Sequence, residues 1–388
     1  VILLEICVSI PKLIALYLPQ FHPIPQNDEW WGGGFTEWTN VAAARPHFRG
    51  HYQPHIPADL GFYDLRLSET REAQAALARR HGIHGFCYYH YWFNGTQLLE
   101  RPFNEVLNSR NPDFPFCLCW ANESWTRTWD GLERRILKKQ DYSNEDNRHH
   151  IDWLIRAFQD DRYIRIEGKP LFILYRLLDI PNAREMLDMW RAEARRQGLA
   201  GLYLCAMQTG ITESSDANLL DSGVDAIVDF QPNWKSFPVS GNLMNKLAVV
   251  AKRVLPSSIY QALGRSVSAE RIIDYGKVVD MNIAIPWPDD YTKFPCVFPS
   301  WDNSARRKSA TIIQNDDPAK YQQWLEASIA GVRRYKAERQ MVFINAWNEW
   351  AEGCHLEPDR KNLHAFLTAT TNALAVGDRT QGTSGPVG

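Results

Sequence analysis

Short apolar runs recur along this chain at intervals that leave room for a helix between most neighbours. Eight can be marked, over residues 12–18, 84–92, 114–123, 170–176, 202–208, 226–231, 296–302 and 341–346. They carry aliphatic and aromatic side chains without a helical period, the pattern of strands buried on both faces. Pro299 weakens the seventh. Amphipathic stretches fall between several of them. Residues 68–81 open on Ser68, place acids early and end on Arg79 and Arg80, as a capped helix does. Similar patterns cover 145–159, 181–197, 318–339 and 363–375. Strands that alternate with helices pair in parallel, because each must be reached by a crossover. Eight such units predict a single closed (β/α)8 TIM barrel, of class α/β, rather than an open doubly wound sheet. No Gly-rich phosphate loop follows any run, which speaks against a dinucleotide-binding half.

The predicted barrel domain covers residues 1–376, and the Gly, Ser, Thr and Pro of 377–388 read as a flexible tail. Two long insertions, 23–81 and 232–295, interrupt the regular alternation. The first holds Trp30, Trp31 and Trp38, and the second is rich in Trp and Pro near Trp234 and Ile285-Pro-Trp-Pro-Asp-Asp290; long aromatic βα loops are where a barrel builds its site. A formal net charge of −2 gives no support for a nucleic-acid or anionic-membrane partner. No stretch has the eighteen or so uninterrupted apolar residues that a membrane span needs. The apolar start, 1–10, is short, contains Glu5 and lacks a basic flank, so it reads poorly as a signal peptide; the absence of Met at position 1 leaves room for chain upstream. Seven cysteines, mostly in apolar runs, read as reduced and therefore as a cytoplasmic chain. Cys117 and Cys119 lack zinc-ribbon spacing, and His149-His150 has no partners at ligand spacing, so neither a metal nor another cofactor is expected.

The eighth run leads into Asn345-Ala-Trp-Asn-Glu-Trp-Ala-Glu-Gly353. Glu349 and Glu352 stand three apart, with Trp347 and Trp350 between and beside them. Two carboxyl groups among indole rings at a strand end suit chemistry on a sugar: one can give a proton while the other takes one or attacks. The plainer reading is a solvated loop whose glutamates meet arginines. Other candidates sit at the ends of other runs, where a barrel gathers its polar residues at one mouth. They are Tyr17, Gln20 and His22 after the first; His90 and Trp92 at the second; Trp120, Asn122 and Glu123 at the third; Gln231 at the sixth; Trp301 at the seventh; and Asn348 and Trp350 in the last. Glu123 could equally lie in a solvent loop or pair with Arg127, and His90 could be a core imidazole bonded to backbone. Trp31 and Glu37 belong to a dense acidic and indole cluster in the first insertion, which could also be a loop with its own small core. No Gly-x-Ser-x-Gly elbow occurs, against an acyl-transfer serine enzyme.

Several long motifs resemble the WbsX family of lipopolysaccharide-biosynthesis proteins, often labelled glycosyltransferases. They are Ile14-Ala-Leu-Tyr-Leu-Pro-Gln-Phe-His22, Trp31-Gly-Gly-Gly-Phe-Thr-Glu-Trp-Thr-Asn40, His51-Tyr-Gln-Pro54, Gly85-Phe-Cys-Tyr-Tyr-His-Tyr-Trp-Phe93, Cys119-Trp-Ala-Asn-Glu123 and Trp347-Asn-Glu-Trp-Ala-Glu-Gly353. The last is also similar to the signature of glycoside hydrolase family 99, the endo-α-mannosidase and mannanase group. That resemblance implies that Glu349 assists the sugar 2-hydroxyl in attacking the anomeric carbon. Glu352 would protonate the leaving oxygen and then activate water, through a 1,2-anhydro sugar and with net retention. Glu352 would then need a raised pKa. Ala351 stands where family 99 has His, which leaves the substrate open.

The expected function is thus retaining hydrolysis of a bacterial surface polysaccharide or related oligosaccharide. The alternatives are glycosyl transfer or transglycosylation in O-antigen biosynthesis, and non-catalytic glycan binding. A sugar-nucleotide transferase of the usual kind is disfavoured, since no Asp-x-Asp motif stands in a suitable loop.

Overall fold

The computed structural model describes residues 10–127, 132–210, 215–234, 237, 271–307 and 309–379. Eight strands form the barrel: β1 Lys12–Tyr17, β2 Ile83–Phe93, β3 Phe116–Trp120, β4 Lys169–Leu174, β5 Tyr203–Met207, β6 Ala226–Asp229, β7 Lys293–Val297 and β8 Met341–Ile344. Each pairs in parallel with its neighbours in chain order, and β8 returns to β1 with Leu13 opposite Val342 and Ala15 opposite Ile344. The sheet is therefore closed, and no edge is left for another chain to pair with.

Among the described residues a covering helix follows each strand: α1 Ser68–Arg80, α2 Arg101–Ser109, α3 Asn144–Phe158, α4 Ala183–Arg196, α5 Asp216–Asp221, α6 Tyr275–Ile283, α7 Pro318–Val332 and α8 Ala365–Arg379; two short helices, Pro25–Trp31 and Glu37–Ala43, stand in the first insertion ahead of α1. Four of their starts carry side-chain caps, whereas α1, α2 and α4 have none, and Ser68, expected as a cap, is the first residue inside α1 after Leu67. Ser143 and Asp317 accept backbone N–H groups at the heads of α3 and α7, and Pro318 occupies the first turn of α7. Their inner stripes pack on the barrel; α4 buries Met186, Leu187, Trp190 and Ala194 at helical spacing. The strand face that looks outward is as apolar as the helices that cover it. Strand contacts are close enough that a Cβ on Gly85 would stand 2.5 Å from the Pro115 carbonyl oxygen, so only glycine fits there.

Three sequence expectations move. The seventh strand lies three residues earlier than 296–302, because Lys293 and Phe294 pair with β6 and Pro295 is accommodated within the strand. Trp301–Asp302 belongs instead to a small separate sheet with Arg271–Asp274 and Thr311–Gln314. The helix expected over 318–339 ends at Val332, where Tyr335 turns to receive the Lys293 amide at 3.1 Å; a 3-10 turn, Ala337–Arg339, then leads into β8. The last helix runs to Arg379, beyond the expected start of the tail, and 380–388 lie outside the described residues. The described cysteines are all buried and free. No helix among the described residues is long and apolar enough to cross a membrane.

Candidate active site

At the C-terminal mouth of the barrel lies a cavity of about 650 Å3, within the range that holds sugar-sized ligands. Its wall includes Trp31 and Phe35 from the first insertion, Tyr89 and Tyr91 from β2, Trp125 after β3, Tyr175 after β4, Phe230 and Trp234 after β6, and Trp301. Its polar groups include Gln20, Glu37, Glu123, Asn303, Arg306, Asn345, Glu349 and Glu352.

The eighth strand delivers its acids through a compact turn. Asn348–Glu349 pairs antiparallel with Cys354–His355, and a 3-10 turn, Trp350–Glu352, joins them. Gly353 ends that turn at φ +56°, a left-handed conformation, and a Cβ there would meet Asp302 backbone atoms at 3.1 Å. The carbonyl of Gly353 accepts the Ser300 hydroxyl at 2.6 Å. Behind the turn, buried Glu357 accepts Trp350 Nε1 at 2.7 Å, the Tyr63 hydroxyl at 2.8 Å and Gln74 Nε2 at 2.7 Å. Asn348 clasps the end of β1, accepting Leu18 N at 2.8 Å and donating to Leu18 O at 3.0 Å.

Both glutamates converge on one cation. Arg306 Nη1 is 3.3 Å from Glu349 Oε1, and Arg306 Nε is 3.8 Å from Glu352 Oε1. Glu37 is 2% exposed, and neither of its carboxyl oxygens has a hydrogen-bond partner among the described residues. Burial, then the nearby Glu352 charge, push Glu349 well above the ordinary carboxyl value, with Arg306 pulling the other way. Burial pushes Glu37 up to about 6 against the pull of Arg306. Burial also raises Glu123, opposed by Arg176 at 3.7 Å. For Arg306, burial opposes the charged form, but Glu352, Glu349 and Glu37 outweigh it and hold it firmly protonated. The site can therefore keep a proton on Glu349 above the usual carboxyl range.

Of the residues expected at the site, Gln20, Trp31, Glu37, Glu123, Trp301, Glu349 and Glu352 line this cavity. The others are held elsewhere. Successive side chains of a strand face opposite ways. On β2, Tyr89 and Tyr91 point to the cavity, so His90 and Trp92 point to α3. There His90 Nε2 meets His150 Nε2 at 2.9 Å, and Trp92 Nε1 donates to Asp146 at 2.9 Å. Trp120 packs edge-on to His150, and its Nε1 donates to the Trp92 carbonyl at 3.3 Å. The Tyr17 hydroxyl donates to Gln74 of α1 at 2.7 Å. His22 is buried outside the lining and held down to about 4, chiefly by burial. Asn122 joins two loops, donating to the Arg176 carbonyl at 2.9 Å and accepting Arg176 N at 2.8 Å. Gln231 accepts Asn233 N at 2.9 Å, and its carbonyl takes Asn345 Nδ2 at 2.9 Å. Asn348 and Trp350 are spent on the Leu18 and Glu357 bonds already described. Sequence reasoning passed over Tyr89, Tyr91, Tyr175 and Arg306. Strand parity would have found the two β2 tyrosines; nothing local to Ala305-Arg306-Arg307 marks the arginine.

A cluster of His55, His355 and Asp359, all buried and outside the cavity lining, has its His355 ring stacked 3.7 Å from the Trp350 indole.

The sequence profile of the family described as Glycosyltransferase WbsX matches residues 13–370. The chain belongs to the WbsX family. This WbsX chain is 39% identical over 364 residues to the uncharacterized protein WxcX of Xanthomonas campestris pv. campestris, an alignment covering 93% of the chain and 49% of that relative. A WxcX from a second strain, B100, matches with the same figures. The chain thus spans about half the length of the WxcX proteins it matches. In fold, the WbsX chain resembles the GH99 endo-alpha-mannosidase from Bacteroides thetaiotaomicron, with a TM-score of 0.56 and 14% identity over 96% of this chain and 99% of that one. A protein described as glycoside hydrolase-like matches with a TM-score of 0.56 and 14% identity over 96% of both chains. At that identity the likeness is one of fold, and function has to be argued from the site.

Proposed function

We propose that this WbsX chain is a carbohydrate-active enzyme that hydrolyses a glycosidic bond with retention, in a surface polysaccharide or related glycan. The reading rests on Glu349 and Glu352 reaching one arginine in a ring-walled cavity. Glu349, as carboxylate, takes the proton of the sugar 2-hydroxyl while its oxygen attacks the anomeric carbon. Glu352 gives its proton to the leaving oxygen as the glycosidic bond breaks. Water then opens the 1,2-anhydro sugar, giving its proton to Glu352, and Glu349 returns the first proton to the 2-oxygen. Burial favours the proton on Glu349, so the reactive arrangement needs that proton moved to Glu352; once ionised, Glu349 is the stronger base for being raised. The aromatic wall supplies faces for sugar rings.

A second reading uses the same acids for transfer, with a hydroxyl acceptor replacing water. It draws on the family description and on a cavity roomy enough for more than one ring. The test is turnover on a panel of α-mannosides and bacterial O-polysaccharides. Glu349→Gln and Glu352→Gln should each lower turnover by about 100-fold or more while leaving binding largely intact. Unchanged turnover in both variants would remove the assignment. Products formed only when an acceptor glycan is present would move it to transfer.

A further inference from the structure

Next to the catalytic turn and outside the cavity lining, two chain segments meet at a cluster that the sugar chemistry does not use. His55 comes from the first insertion, His355 and Asp359 from the segment after the turn. Each offers one donor atom, and these atoms lie within 4.8 Å of one another. His55 Nδ1 and His355 Nε2 are 2.9 Å apart. Two imidazole nitrogens bound to one transition metal stand at a separation of roughly 3 Å, given bonds of about 2.0–2.1 Å.

The surroundings orient all three. His355 Nδ1 must carry a proton, since it donates to the Glu357 carbonyl at 2.9 Å, and so its Nε2 presents a lone pair to His55. Carbonyl-oriented imidazoles of this kind are the usual outer support of metal ligands. Asp359 takes the Asn362 amide on Oδ1 at 2.6 Å. Its Oδ2 is buried, the residue being 2% exposed, and faces the Tyr52 hydroxyl; Asp359 forms no ion pair among the described residues. One hydroxyl leaves this buried carboxylate short of the positive charge that would best meet it. Lys361, whose ammonium lies over the Tyr52 ring, is instead engaged by Asp316 at 2.8 Å.

We propose that His55, His355 and Asp359 form a binding site for a divalent first-row transition metal of the zinc class. Two imidazoles and one carboxylate suit that class, and calcium or magnesium would ask for oxygen donors throughout. Binding needs His55 to move its proton from Nδ1 to Nε2 and the Asp359 carboxylate to turn from the Tyr52 hydroxyl toward the two nitrogens. The role is structural. His355 pairs with Asn348, next to Glu349, while the His55 segment is bonded to the strip carrying Asp359 through Ala58 N to Pro358 O and Arg360 N to Ile56 O. A metal there would pin the first insertion to the turn that carries both acids.

The test uses the full, untagged chain, stripped with chelator. Co2+ titration should give visible d–d bands that saturate at one equivalent, and Zn2+ should bleach them. Zn2+ at about 100 times its dissociation constant should raise the unfolding temperature by several degrees. His55→Gln and Asp359→Asn should lose the bands, with circular dichroism verifying the fold. Absence of any saturable Co2+ spectrum in the wild-type chain would overturn the site, whatever the variants do. So would an unchanged stoichiometry in folded variants. Because neither readout is turnover, failure here leaves the glycosidase reading standing, and the reverse.

Discussion

Arg306 sets its guanidinium 3.3 Å from the Glu349 carboxylate, at the place where three acidic side chains crowd into little water. It lets the site hold more negative charge than burial alone would tolerate. Arg306→Met should therefore cost about 3 kcal/mol of stability at neutral pH, as breaking a buried ion pair does. Much of that loss should return under acid, where the carboxyls are neutral. Urea denaturation at the two pH values measures both, and the acid limb of the pH–rate profile should move up.

Glu37 is the opposite case: its charge works against the fold. Its carboxyl ordinarily titrates at 4.5 and is pushed to about 6 in the folded chain. A proton is thus held more tightly folded than unfolded, so stability falls as pH climbs from the lower value through the upper. Glu37→Gln should stabilise the chain by about 2 kcal/mol near neutral pH. The gain should vanish below about pH 4, where both states are protonated. A stability difference that is flat with pH would contradict the assignment.

Strand parity on β2 predicts a split between adjacent residues. Tyr91→Phe removes a hydroxyl on the cavity side and should raise KM about fivefold, with stability changed by less than about 0.5 kcal/mol. Trp92→Phe deprives Asp146 of its donor and should cost about 2 kcal/mol with KM unchanged. Steady-state kinetics and thermal melts of the two variants separate the faces.

Gly353→Ala should disturb catalysis more than folding. The left-handed φ and the 3.1 Å approach to Asp302 force the turn to shift. A loss of about 1–2 kcal/mol is expected. Turnover should fall at least tenfold, because Glu352 is the neighbouring residue and a small displacement of a reacting group is costly.

The barrel was legible because each of its strands is an apolar run and five of the helices between or after them show an amphipathic pattern; Arg101–Ser109, Asp216–Asp221 and Tyr275–Ile283 were not read. Met341–Ile344 and Lys12–Tyr17 read as strands without help from their partners. The acids were legible because both lie in one short turn beside indoles. What failed was the facing of side chains. His90 and Trp92 look as suited to sugar as Tyr89 and Tyr91, and only the pleat decides which pair sees the cavity. Arg306 was invisible for another reason. Its value comes from Glu349, Glu352 and Glu37, none of which is near it in sequence. The pair formed by His55 and His355, separated by 300 residues, was hidden in the same way. Local spacing cannot show a cluster that only closure of the barrel assembles.

Asn348 holds on to Leu18 across 330 positions, and β8 is the partner that β1 lacks until the end. A ribosome making this chain therefore has a seam to leave open for most of translation. Nascent lengths that stop before Met341 would carry an unzipped wall, exposed backbone along it, and neither Glu349 nor Glu352. Shortening from that end should give a sticky shell rather than a slower enzyme.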